Sequence, residues 1–256
     1  MPRFAANIGF LFAEHDFLDR FAAAKSSGFE AVEFAVPYLH EARLLAAKLE
    51  ENGLACVLLN LPMGDKSKGD FGIANRPERR DEFRDGVGLA IGYAQALGCP
   101  KMNCIAGTVK PGEDRADLRA TLVDNLRFAA REFKAAKLDL VIEPLNTHDV
   151  PAFFMPRAKE ATAIIAAVGA DNLGLQCDLY HTAMMGDDPA ATLRELRPAI
   201  RHIQFADAPG RGEPGSGRLD MPRLFAEIDA TGYGGWVSAE YKPTRPTAET
   251  LSWFVR

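Results

Sequence analysis

Cysteine is scarce and carries no paired pattern: four residues in 256, at Cys56, Cys99, Cys104 and Cys177, with no CxxC among them. That spacing argues against a disulfide framework or a thiolate metal site and makes the thiols small core residues of a reduced compartment. Basic charge is also short, since 30 Lys and Arg stand against 35 Asp and Glu, leaving a net charge of −5 and a pI near 5.6. Such a balance offers no electrostatic footprint for nucleic acid. Long apolar runs are missing too. The N-terminal "FAANIGFLFA" is too short to span a bilayer and runs straight into "EHD", where a signal peptide would place small cleavage-site residues. No GxGxxG follows the first apolar stretch, and there is no linker, low-complexity tract or short repeat. The expectation is a cytoplasmic protein without membrane or nucleic-acid partners, folded as one domain over residues 1–256.

What is present is an alternation of short apolar runs with amphipathic segments. Eight strand candidates stand out: 4–10, 31–35, 54–60, 101–107, 140–146, 173–180, 200–207 and 235–241. Between them lie segments such as "ARLLAAKLEENG" and "LRATLVDNLRFAAREFKAAK", with apolar residues at helical spacing. Eight βα units in about 250 residues are what a (β/α)₈ TIM barrel requires. A doubly wound open sheet is the alternative, weakened by the absent phosphate cradle after the first strand.

Active sites of such barrels sit at the C-terminal ends of the strands, so polar residues late in a strand carry the functional expectation. Glu143 closes "LVIE", Asp178 closes "GLQCD", Gln204 sits in "HIQFAD" and Glu240 ends "WVSAE". A single acid at such a place is more often an Arg-paired or solvated rim residue. Four oxygen-bearing side chains on strands five to eight are harder to explain that way, because three carboxylates crowded into low dielectric repel one another unless a cation neutralises them. Oxygen donors favour a hard divalent ion, Mg²⁺ or Mn²⁺. His202, two residues before Gln204, shares its face of the strand but lies about 6–7 Å deeper, which makes it a core histidine. Glu33 points inward by alternation and reads as a buried structural acid. Asn7, Asn60 and Asn146 end strands one, three and five and are candidates to line a pocket. The "GRGEPGSG" loop, 210–217, follows strand seven, where many barrels bind phosphate; Glu213 inside it opposes that use, leaving a mobile substrate-covering loop or a simple turn.

The combination of "LVIEPLN", "QCDLYH", "HIQFADAPGRGEPGSG" and "GWVSAEYKP", opening with "RFAANIGFLF", resembles the hydroxypyruvate isomerase family of the xylose isomerase-like TIM barrels along essentially the whole chain. The resemblance implies a divalent metal held by Glu143, Asp178, Gln204 and Glu240, with Glu143 and Glu240 as the catalytic acid/base pair. It also implies substrate contacts from His181 and Arg211, beside Asn7 from the strand-end reading. The implied reaction interconverts hydroxypyruvate and tartronate semialdehyde by proton transfer through an enediolate. A related 2-oxo acid such as a 2-oxo-tetronate is the neighbouring alternative, and a sugar epimerase, dehydratase or other lyase would use the same rim. A DNA endonuclease of the same superfamily would want more than the five histidines present, and a basic face. Association into a homo-oligomer is an expectation at family level.

Overall fold

The protein is described from a computed structural model covering residues 1–254. Its strands are β1 (Arg3–Asn7), β2 (Ala31–Phe34), β3 (Ala55–Asn60), β4 (Lys101–Cys104), β5 (Asp139–Ile142), β6 (Leu173–Asp178), β7 (Ile200–Phe205) and β8 (Trp236–Ala239). Each pairs in parallel with the next, and β1 pairs with β8, so the sheet closes on itself as a (β/α)₈ TIM barrel. The outer ring is formed by α1 (Arg20–Ser26), α2 (Ala42–Asn52), α3 (Arg80–Ala96), α4 (Arg115–Ala135), α5 (Ala158–Val168), α6 (Leu179–Met184), α7 (Pro189–Glu195) and α8 (Met221–Ala230). Two short helices, α6 and α7, fill the span between β6 and β7, and β8 is followed by 3₁₀ turns over Thr247–Trp253. Among the described residues no helix is long and apolar enough to cross a membrane.

All eight expected strands form, but most end earlier than the apolar runs that announce them. Residues Glu143 to Asn146 and Glu240 to Tyr241 stay buried after the ladder has ended. The reason is geometric: the chain leaves the barrel by turning over its own mouth, and a buried loop needs apolar cover as much as a strand does. Hydrophobic pattern reports burial, and here burial outlasts hydrogen-bonded pairing.

The barrel interior changes character along its axis. At the N-terminal end Ala5, Ala31 and Val57 form a small apolar plug with Trp236 packed against it. Above it the inward positions are polar: Glu33, His202, Gln176, Gln204, Ser238 and Asn103 are all buried. Burying such groups is unfavourable unless they pair, and Glu33 does the pairing. Its carboxylate accepts from Asn7 Nδ2 at 3.0 Å, from Gln204 Nε2 at 2.6 Å and faces His202 Nε2 at 2.7 Å. On the outer face of the barrel, Phe4, Phe205, Phe225 and Trp253 meet mainly edge to face, tying the C-terminal turns to β1, β7 and α8.

Candidate active site

A cavity of about 170 Å³ opens at the C-terminal mouth of the barrel, lined by Glu143, Asp149, His181, Arg211 and Glu240 together with apolar side chains. A larger cavity of about 530 Å³ lies elsewhere, against α8 and Trp253, but it is mainly apolar. Its acid, Asp229, is paired with the N-terminus at 3.0 Å. The acids, the histidine and the arginine gather instead at the smaller one.

Glu143 stands one residue beyond β5, where Asn103 Nδ2 donates to its Oε2 at 2.8 Å. Asp178 is the last residue of β6 and also the cap of α6: its Oδ1 accepts from the Tyr180 backbone N–H at 2.7 Å, leaving Oδ2 buried without a hydrogen-bond partner. Glu240 follows β8 and accepts from Asn7 Nδ2 at 2.7 Å and from Arg211 Nη2. Burial pushes the Glu143 carboxyl well above its ordinary range, and the charges of Glu240 and Asp178 push it further. Burial likewise raises Glu240 to about 8, with Asp178 and Glu33 adding to the shift and the Arg211 guanidinium opposing it. Three buried carboxylates so placed repel one another, and an added cation would favour their ionised forms.

A divalent ion fits this donor set. Ligand atoms of Glu143, Asp178 and His181 lie within 4.8 Å of one another, and both Asp178 Oδ2 and His181 Nε2 are buried without partners. The two orphaned atoms are not equivalent. His181 Nδ1 accepts from the Asn146 backbone N–H at 3.1 Å and meets Asn146 Nδ2 at 2.7 Å. Burial, then the Arg211 charge, holds the ring well below its ordinary pKa, so it is neutral. A neutral ring whose Nδ1 accepts must carry its proton on Nε2, and that nitrogen is then a donor rather than a metal ligand. Asp178 Oδ2 has no such obstacle.

The other expected residues are distributed as follows. Gln204 is buried with its amide nitrogen on Glu33 and its oxygen accepting from Gln176 Nε2 at 2.5 Å. Since the nitrogen is held by Glu33, the oxygen is the end available to a cation. His202 lies deeper and fully buried, on Glu33, as strand alternation requires. Asn7, expected against substrate, has its amide nitrogen on Glu33 and Glu240 and its oxygen on the Gly9 N–H, which places it under Glu240. Arg211 is drawn into the carboxylates: Nη2 reaches Glu240 and stands 3.5 Å from Asp178 Oδ2, while its guanidinium lies over Phe10 at 4.7 Å and Tyr180 at 5.1 Å.

Asp207 carries no expectation in the sequence, yet it organises the loop that presents Arg211. Its carboxylate accepts from the backbone N–H groups of Ala208, Gly215, Gly217 and Leu219 at 2.8 to 2.9 Å. Glu213 binds Thr244 Oγ1 at 2.6 Å, so the acid that argued against phosphate fastens the loop instead. The loop is thus tied down at both places. The readable signal is an Asp followed by a Pro-Gly and three further glycines, the composition of a side-chain-nucleated turn.

These strands, acids and closure identify the architecture, and a family description for the xylose isomerase-like TIM barrel matches residues 21–256. The chain belongs to the xylose isomerase-like TIM barrel family. Within the family it is 44% identical to a 2-oxo-tetronate isomerase of Cupriavidus necator, over 99% of this chain and 97% of that one. It is equally 44% identical to a hydroxypyruvate isomerase of Escherichia coli, over 99% and 98% of the two chains. Among solved xylose isomerase-like barrels, an AP endonuclease, family 2, from Brucella melitensis superimposes with a TM-score of 0.97 at 38% identity, over 99% of this chain and 98% of that one.

Proposed function

We propose that this protein is an isomerase of small 2-oxo acids that interconverts hydroxypyruvate and tartronate semialdehyde by proton transfer through an enediolate. The observation that carries the proposal is the pair Glu143 and Glu240, set at the ends of β5 and β8 so that both face one cavity, with the orphaned Asp178 Oδ2 between their strands. The names of the two relatives at 44% identity supply the substrate class.

In this reading Glu143, Asp178, Gln204 and Glu240 hold a divalent cation, Mg²⁺ or Mn²⁺, which when bound would polarise the substrate carbonyl and neutralise charge that develops on it. One glutamate removes a proton from C3 of hydroxypyruvate, the carbon bearing the terminal hydroxyl. The other returns a proton to C2 on the resulting planar enediolate while the proton of the C3 hydroxyl passes to the oxygen on C2, so the carbonyl moves from C2 to C3. Asn7 fixes the Glu240 carboxylate by donating to Oε1, and Asn103 does the same for Glu143. His181, with its proton on Nε2, donates to a substrate oxygen as negative charge builds there. Arg211 supports the same face, its charge shared with Glu240.

A four-carbon 2-oxo-tetronate is the second reading, favoured by the equal identity to the Cupriavidus enzyme. A nucleic-acid substrate, suggested by the name of the solved relative, meets a chain of net charge −5 and a cavity whose wall includes Glu143, Asp149 and Glu240, which would repel phosphates. The test is a turnover screen of hydroxypyruvate and 2-oxo-tetronates with Mg²⁺ or Mn²⁺ supplied. Turnover of at least one is expected, lost on chelation and regained on adding the ion back, while circular dichroism stays unchanged. Full turnover in metal-free protein would refute the cation's role.

A further inference from the structure

An isomerase of 2-oxo acids must hold a carboxylate that does not react, and its pocket is walled by carboxylates. The cationic side chains at the cavity are few. Arg211 is drawn onto Glu240 and Asp178, and the His181 ring has its Nδ1 taken by the Asn146 backbone N–H. Lys66 remains. It lines the cavity, and among the described residues no carboxylate lies within ion-pair distance of its ammonium, which rests 5.6 Å from the Phe71 ring that also faces the cavity.

The backbone is built to keep Lys66 there. Asp70 Oδ2 accepts from the Asp65 N–H at 2.8 Å and is paired with Arg79 at 2.6 Å. Asp65 Oδ1 in turn accepts from the Ser67 N–H at 2.9 Å, starting the 3₁₀ turn of Lys66–Lys68. The base of the arch is closed by the Gly72 N–H donating to Met63 O at 3.0 Å. Gly72 sits so tightly against the Ile105 carbonyl that no Cβ would fit there. Beside Lys66 on the same wall, Asn60 has an amide nitrogen whose partner is the Met63 sulfur at 3.6 Å, a weak acceptor that an anion would displace. This wall rises from β3, two strands from β5 and three from β8, away from the two glutamates.

We infer that Lys66 and Asn60 form the site for the substrate's carboxylate, setting the acid end against the β3 wall and the hydroxyl-bearing carbon toward Glu143 and Glu240. The inference rests on the 2-oxo-acid reading for its substrate class. Lys66 neutralises the anion, Asn60 donates to its second oxygen, and the reacting carbons are thereby directed to the opposite wall.

The test compares Lys66→Met and Lys66→Arg with the wild type in two measurements. In turnover, Lys66→Met should raise KM for hydroxypyruvate about tenfold, the lower range for a charge-assisted contact made by an exposed side chain, with kcat within about twofold and Lys66→Arg restoring most of the loss. In calorimetry on the metal-loaded protein, D-glycerate, an unreactive acid, should bind about tenfold more weakly to Lys66→Met, while neutral glycerol shows no difference between the two proteins. Unchanged KM together with unchanged glycerate affinity would overturn the role of Lys66 and leave the isomerase reading standing. Lys66-dependent glycerate binding in a wild type that turns over no 2-oxo acid would do the reverse. Absence of glycerate binding by an active wild type also overturns the site.

Discussion

The ring of His181 meets the cavity with a proton, because both donors of Asn146 claim its other nitrogen. Proximity to Glu143 and Asp178 would by itself make it look like a ligand. The two roles separate in one variant. His181→Ala should leave Mn²⁺ affinity within about threefold of wild type while kcat/KM falls on the order of 10²-fold, as for loss of one donor to a developing oxyanion. Collapse of Mn²⁺ affinity would make it a ligand. The glutamates make a different claim. Turnover of hydroxypyruvate in D₂O should place deuterium at C2 of the tartronate semialdehyde, read by NMR, and Glu143→Gln or Glu240→Gln should abolish it in protein confirmed to hold its metal. Complete retention of substrate hydrogen, where free aldehyde does not exchange, would indicate a hydride shift between the carbons.

At the scale of the element, the loop between β7 and α8 is organised chiefly by one buried acid, with Glu213 fastening its far side to Thr244. Four backbone donors converge on Asp207, and the loop's edge is joined to the chain after β8 by the Lys242 N–H on Arg211 O at 2.7 Å. Gly217 passes so close to Asp207 and the Ala208 carbonyl that any side chain there must displace the loop. Asp207→Ala should therefore destabilise the fold by about 1–3 kcal/mol, the range for buried donors left without an acceptor. It should also expose residues 208–219 to limited proteolysis before the barrel unfolds. Gly217→Ala should reproduce the proteolytic sensitivity with Asp207 intact. If neither variant is cleaved there faster than wild type, the loop owes its order to something other than this carboxylate.

The whole molecule gathers negative charge at one end of a closed barrel, and that arrangement has a thermodynamic signature. In chelated protein, burial and mutual repulsion raise Glu143, and raise Glu240 to about 8 from an ordinary 4.5. The folded state then keeps protons that the unfolded chain has lost, so these groups contribute stability that is full below about pH 4.5 and declines as pH rises toward about 8. A bound divalent ion stabilises the ionised carboxylates and adds its own binding free energy, removing the decline. The gap in Tm between metal-loaded and chelated protein should widen from about pH 5 to about pH 8. A gap that stays constant or narrows would mean that the carboxylates ionise without the ion.

Closed barrel topology was legible in the sequence because eight apolar runs alternating with amphipathic segments leave few other ways to bury every strand on both faces. The rim acids were legible because Glu143, Asp178 and Glu240 interrupt those runs at the end where such barrels place their chemistry. The same logic put His202 in the core and Glu33 beneath the site, since alternation assigns a face without any knowledge of neighbours. Partners were another matter. That Asn7 supports Glu240, that Arg211 lies among carboxylates, and that Asp207 fastens its loop depend on side chains from distant parts of the chain converging in space, and no local pattern encodes a distance. Strand ends behaved likewise, because pattern records burial and pairing stops where the chain turns across the mouth. Residue types and their faces were thus determined by the sequence itself, through the two-residue period of a strand. Which donor meets which acceptor, and hence which nitrogen of His181 carries the proton, was decided only when the barrel closed and fixed those groups within hydrogen-bonding reach.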